Sequence, residues 1–283
     1  MITAILAGAL ALALPQQQTD TTFEVRAGGH LEIDALNGSV TIDTWDRAAM
    51  RVRSTASGAT RVEIERNGSR VSIDSDNPRG RPGPVRLEIT VPRRFDIQIE
   101  GVHMPIVVDG VQGSLDLENV EGSITVRRVS GPVNVESVSG GIILEDVQGD
   151  VTVTNVNEAL HLSSVRGNIS AETTNGAIVM RGIESTSVEA STVNGLVEYH
   201  GTVRDGGNYY LGTHNGRITM SMPAGANARL DIATRNGKVE AAFPVQVRSE
   251  GDGEFSISLG SGSARIELES YNGSVYLVRP SGR

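Results

Sequence analysis

The sequence predicts an all-β protein: a parallel β-helix or β-roll solenoid of about 18 to 21 residues per coil, with an N-terminal β layer capping it. Three observations carry that expectation. Gly113, Gly122, Gly131, Gly140, Gly149, Gly167 and Gly176 fall on one nine-residue lattice, with Glu158 at the position that lacks glycine. The third and fifth positions of each nine-residue unit are apolar throughout, and the eighth is apolar except at Thr174. Asn-Gly pairs then recur at a single phase of the repeat, and such self-similarity marks units that stack.

In chain order, residues 2–14 are without exception apolar or small and are followed by Pro15 and three glutamines, the pattern of a secretory leader over residues 1–18. The stretch is too short to span a bilayer comfortably and lacks a Lys or Arg before it. Residues 19–110 lack the lattice but alternate as strands at 23–26, 31–34, 39–43, 50–53, 61–65, 71–74, 85–91 and 96–100. Residues 77–84, rich in Pro and Gly, read as a surface loop. This N-terminal part is expected to cover the first coil, with Trp45 as a core anchor rather than a stacking platform.

From residue 111 to 283 the lattice sets the geometry, continuous with the cap. A nine-residue unit is too small to bury its own apolar face, so units must stack and share a core. With two units per coil, each strand pairs in parallel with the strand one coil away, and the third, fifth and eighth residues point inward. The ninth position of every second unit reads Glu121, Ser139, Asn157, Asn175, Asn194, Asn215 and Asn236, one expected column. Asn157, Asn175, Asn194, Asn215 and Asn236 would form an amide ladder at the turn. Independent Asn-Gly hairpins are the alternative.

Composition narrows the function classes. The chain has no cysteine, which excludes a disulfide framework, thiolate metal sites and a cysteine nucleophile. The formal charge of −9 argues against nucleic acid, whose phosphates need clustered Lys and Arg.

Several phrases in this order resemble one family. They are Asn37-Gly38-Ser39-Val40-Thr41-Ile42 leading to Trp45-Asp46, Thr90-Val91-Pro92-Arg93-Arg94-Phe95-Asp96-Ile97, and the glycine lattice. Met222-Pro223-Ala224-Gly225-Ala226, Arg235-Asn236-Gly237-Lys238-Val239 and Tyr271-Asn272-Gly273-Ser274-Val275 complete the set. The chain resembles the bacterial putative-adhesin family of exported β-strand-repeat domains of unknown function, over nearly everything after the leader. The resemblance implies a parallel β-helix or β-roll in the bacterial envelope and brings no catalytic residues with it. Some relatives look linked to envelope-stress signalling, but this chain has no membrane-spanning helix or further signalling domain of the kind longer relatives carry.

Chemistry has little foothold. The sequence holds no G-x-S-x-G, H-E-x-x-H, Walker or Rossmann motif, and its histidines His30, His103, His161, His200 and His214 are scattered. Polysaccharide-cleaving enzymes also use parallel β-helices, and they need two carboxylates across the bond or a base with cations. The outward positions of one sheet offer Asp116, Glu118, Glu136 and Glu172, an acidic face that reads either as solvated surface or as a cation site without the Asp-Gly signature of calcium-binding repeats. Tyr199, Tyr209, Tyr210 and His214 are the aromatic concentration of the repeat region, either a loop packed by its own tyrosines or a surface for sugars or partner side chains. The expectation is a non-enzymatic, exported binding or structural module without metal or cofactor, meeting an envelope protein or a surface glycan. The competing readings are an envelope-stress accessory protein and a polysaccharide-acting enzyme.

Overall fold

The computed structural model describes residues 16–77, 80, 83–223, 225–251 and 253–280, and within them every regular element is a β-strand. The N-terminal strands are β1 (Gln16–Glu24), β2 (Gly29–Trp45), β3 (Ala49–Ser57), β4 (Arg61–Asn67), β5 (Arg70–Asp76), β6 (Val85–Pro92), β7 (Phe95–His103) and β8 (Ile106–Asp109). The lattice supplies β9 (Leu115–Glu121), β10 (Ile124–Ser130), β11 (Val133–Ser139), β12 (Ile142–Gln148), β13 (Val151–Asn155), β14 (Leu160–Arg166), β15 (Ile169–Asn175) and β16 (Ile178–Ile183). Longer coils follow as β17 (Ser187–Asn194), β18 (Val197–Gly201), β19 (Asn208–Asn215), β20 (Ile218–Ser221), β21 (Ala228–Thr234) and β22 (Val239–Ala241). The chain ends with β23 (Val247–Gly251), β24 (Glu254–Leu259), β25 (Ala264–Asn272) and β26 (Val275–Val278).

These strands wind into a β-solenoid with two parallel sheets enclosing a thin core. Even-numbered strands from β6 to β20 stack in sheet A, and odd-numbered strands from β5 to β19 stack in sheet B. One element belongs to both. β2 turns the corner at Asn37-Gly38, so its first half lies in sheet B and its second half in sheet A. Third and fifth positions are buried on both sheets, as at Leu115, Leu117, Ile124 and Val126. Each such side chain contributes about 1.5 to 3 kcal/mol by burial.

The eighth position departs from the expected inward orientation on one sheet, and the seventh residue explains why. On sheet A that residue is left-handed at Arg128, Asp146 and Ser164 (φ 51°, 55° and 55°), which rotates Val129, Val147 and Val165 into the core. On sheet B the strand alternation continues instead, so a small polar seventh residue points inward and the valine after it points out. Thr192, Thr213 and Ser270 donate from there to the carbonyls of Gly176, Gly195 and Gly216, at 3.0, 2.9 and 2.9 Å. Buried hydroxyls are thereby satisfied while the corner is fixed.

Stacking order differs from chain order at both ends. β2 lies between β5 and β7 in sheet B and between β6 and β8 in sheet A. At the other end, β25 lies between β19 and β21, and β26 between β20 and β22. The first and last coils are therefore intercalated. Connections that step over them start at Pro92 and at Met222-Pro223, after β6 and β20. The expected neighbours Asn215 and Asn236 are consequently separated by Asn272, although each was one turn of 21 residues from the next by sequence.

Antiparallel strands close the stack, β3 and β1 beyond β6, β4 beyond β5, and β24 with β23 beyond β21. Within residues 19–110, β3 and β4 thus pair at the outside of the stack, while β2 and β5 to β8 form coils of it. The outermost β4 carries the charged Arg61, Glu63 and Glu65 along its exposed side, which discourages edge-to-edge pairing. Most of the expected leader lies outside the described residues, while Gln16–Glu24 forms β1 against β3. Trp45 is half-buried at the corner before β3, donating to the Ala49 carbonyl at 2.6 Å beneath the Arg47 guanidinium. It is a corner clamp instead of a core anchor.

Candidate functional site

Ionic character divides the two outer surfaces. Sheet A pairs its charges: Arg127 Nε meets Glu145 Oε2 at 2.8 Å, and Arg181 and Arg217 both approach Glu198 at 3.9 and 3.3 Å. Sheet B leaves a column of acids without such partners. Asp74, Asp34, Glu100, Glu118 and Glu136 occupy successive rungs in strict register. Among the described residues none of the five forms an ion pair. Rungs about 4.8 Å apart bring like charges close enough to repel by about 1 kcal/mol even in water.

Beside this column runs an apolar one. The outward eighth position exposes Val120, Val138 and Val156 by 44%, 42% and 37%, where most valines of the chain are fully buried. Leu36 is exposed in the same column. Acids and valines together line a groove of about 410 Å3. Asn119 Oδ1 and Ser137 Oγ, buried in two of the lining residues, have no hydrogen-bond partner among the described residues. The arrangement is an amphipathic trough whose charged side has one sign.

Electrostatics respond to that crowding. Partial burial, then the charges of Glu136, Glu100 and Asp116, raises the Glu118 pKa above its ordinary value. Burial followed by Asp74, Glu100 and Glu32 raises Asp34 likewise. A carboxyl that binds its proton more tightly when folded lowers stability as pH rises through the window between its ordinary and its raised value. Glu118→Gln is therefore expected to raise the melting temperature slightly at pH 7 and to leave it unchanged at about pH 3. Equal shifts at both pH values in thermal melts would contradict this.

The sequence-selected residues separate into three groups. Glu118 and Glu136 share the acidic column, while Asp116 stands in the neighbouring column and accepts from Asn134 Nδ2 at 2.9 Å. Glu172 is cut off from them by Thr154. Tyr199 and Tyr209 are 0% and 2% exposed and pack edge to face, with ring centroids 5.8 Å apart. Their hydroxyls donate to the carbonyls of Thr202 and Ser185, at 2.7 and 2.8 Å. Burial pushes both phenols up in pKa. They are core residues that pin the loop between β18 and β19, so they leave the list of binding candidates. Tyr210 and His214 remain on the outer surface, near Tyr271.

The amides form a continuous ladder. Asn236, Asn272, Asn215, Asn194 and Asn175 each donate through Nδ2 to the Oδ1 of the next, at 2.7, 2.8, 2.8, 2.9 and 3.4 Å, ending on Asn157. Asn157 donates to Ser139 Oγ at 3.3 Å. Asp34 and Tyr271 were missed by sequence reasoning because they lie on the intercalated coils, and Asp74 and Glu100 because their strands lie outside the nine-residue lattice. Among the described residues, no group of three His, Cys, Asp or Glu is placed to hold a metal ion.

Residues 29–277, from the start of β2 to the penultimate residue of β26, match the family described as Toastrack DUF4097. The chain belongs to this family. The Toastrack match thus begins and ends in the two intercalated coils. No curated protein matches the chain. It is similar in structure to a putative adhesin from Bacteroides fragilis, with 12% identity, 92% of this chain and 97% of that chain covered, and a TM-score of 0.43. A putative lipid binding protein from Parabacteroides distasonis is similar at 11% identity, 93% and 97% coverage, and a TM-score of 0.46. A putative cell adhesion protein from Clostridium sporogenes shares 12% identity, with 93% and 100% coverage and a TM-score of 0.22. Among the described residues no helix is long and apolar enough to cross a membrane.

Proposed function

We propose that this Toastrack chain is a non-enzymatic binding module of the bacterial envelope that docks a partner protein along the trough on sheet B. The observation that carries the reading is the column of five carboxylates that form no ion pair among the described residues, running beside exposed valines. An extended segment alternating basic and apolar side chains would neutralise the one while covering the other. Export to the envelope draws support from the apolar run at residues 2–14. Protein docking also favours the stress-accessory reading over a catalytic one. Glu118 and Glu136 project side by side from parallel rungs of an open surface, whereas glycoside hydrolysis needs carboxyl groups that flank a bond.

The test uses fluorescent peptides with alternating Lys and Val, and controls with Glu in place of Lys. Fluorescence anisotropy is expected to show binding of the Lys-Val peptide alone, weakened about threefold to tenfold in Glu118→Gln/Glu136→Gln. Circular dichroism checks that the variant keeps its strands. Equal binding by the folded double variant, or by the Glu-Val peptide, would refute the proposal.

A further inference from the structure

Farther along sheet B the outer surface changes character. The column that holds the acids, already broken by Thr154 and Ser191, carries Gly212 between Ser191 and Glu269 in register. Tyr210 fills the vacancy by folding over it: a Cβ on Gly212 would lie 2.6 Å from the Tyr210 hydroxyl. That phenol donates to Glu269 Oε2 at 3.1 Å, and burial together with the Glu269 charge pushes its pKa up to about 12. The ring is thereby laid along the sheet as a fixed platform. One column away, His214 and Tyr271 stack face to face, with centroids 4.8 Å apart and planes 7° from parallel. Tyr271 is still 47% exposed.

These rings line a groove of about 510 Å3 with Glu172, Glu269 and Arg235. Its volume lies within the range of small-molecule sites. Among the described residues Arg235 makes no ion pair. Aromatic faces, the carboxylates of Glu172, Glu254 and Glu269, and a guanidinium without an ion pair among the described residues suit a ligand with an apolar face and a rim of hydroxyls. A pyranose ring has both. Its C–H face packs on an aromatic ring, and its hydroxyls donate to carboxylates and accept from guanidinium in charge-assisted bonds. An anionic sugar would meet Glu172, Glu254 and Glu269 at the same place, so the groove favours an uncharged one.

We infer that the groove between Tyr210, His214 and Tyr271 is a saccharide-binding site for a short neutral oligosaccharide, separate from the acidic trough. The site goes beyond protein docking. Its test is calorimetric titration of the full chain with cellotriose, maltotriose and the N-acetylglucosamine trimer at millimolar concentrations. Saturable binding of at least one is expected, about tenfold weaker in Tyr271→Ala and restored in Tyr271→Phe, which keeps the ring. No binding of any of the three, or unchanged binding by Tyr271→Ala, would overturn the inference. Displacement of the sugar by the Lys-Val peptide would overturn the separation of the two sites. The sugar titration contains no peptide and the peptide assay no sugar, so either proposal can fail without the other.

Discussion

Deleting residues 261–283 is expected to melt the C-terminal third of the molecule rather than shorten it by one coil. The deletion removes β25 and β26, which lie inside the stack, one coil from its end. β21 would keep only its antiparallel neighbour β24, and β22 would lose its parallel partner. Ile266, Leu268, Val275 and Leu277 are at most 1% exposed, and losing each removes about 1.5 to 3 kcal/mol of burial. In a solenoid stacked in chain order, removing the last coil costs that coil and one interface. Here two interfaces vanish. Thermal melts should show a loss of well over about 10 °C or a second, early transition. Limited proteolysis should cut between β20 and β24. A truncated protein that melts like the full chain, with β21 protected, would refute the intercalated arrangement.

The second large effect is expected at Gly38, where β2 passes from sheet B to sheet A. Its φ is 135°, a conformation that side chains rarely adopt, and an added Cβ would land on the Val85 carbonyl of β6. Both strands are held in register there by parallel pairing, with Val40 opposite Leu87. Relief requires moving backbone instead of rotating a side chain. Gly38→Ala is therefore expected to cost at least about 3 kcal/mol in urea denaturation, combining strain and overpacking. A loss below about 1 kcal/mol would show that the corner can relax. Gly122, at φ 116° with a would-be Cβ 2.6 Å from the Met104 carbonyl oxygen, should respond similarly.

The coil was legible because the nine-residue lattice records a physical constraint that every rung repeats. The end coils were not, because Asn215, Asn236 and Asn272 stand in equivalent local phrases and nothing in hydrophobic patterning ranks one rung above another. A signal was nonetheless present. Pro92 ends β6 and Pro223 follows β20, each where the chain must skip a coil.

The outward valines were hidden for another reason: the eighth residue looks alike on both sheets, and its direction depends on the backbone of the seventh. Asn119 and Ser137 against Arg128 and Asp146 hold that information. Tyr199 occupies the fifth position after Gly195, so extending the lattice into the longer coils would have sent it inward. Tyr210, one residue after the inward Tyr209, falls outward by the same alternation.

The amide ladder also has a polarity. Every side-chain donor from Asn236 to Asn157 points toward the N-terminal end of the stack, so the bond dipoles add instead of cancelling. Their positive pole is directed at Ser139, and the next residue in the same file is the carboxylate of Glu121. Like an anion at the start of a helix, Glu121 sits at the terminus where negative charge is favoured, giving this edge of the molecule a built-in electrical direction.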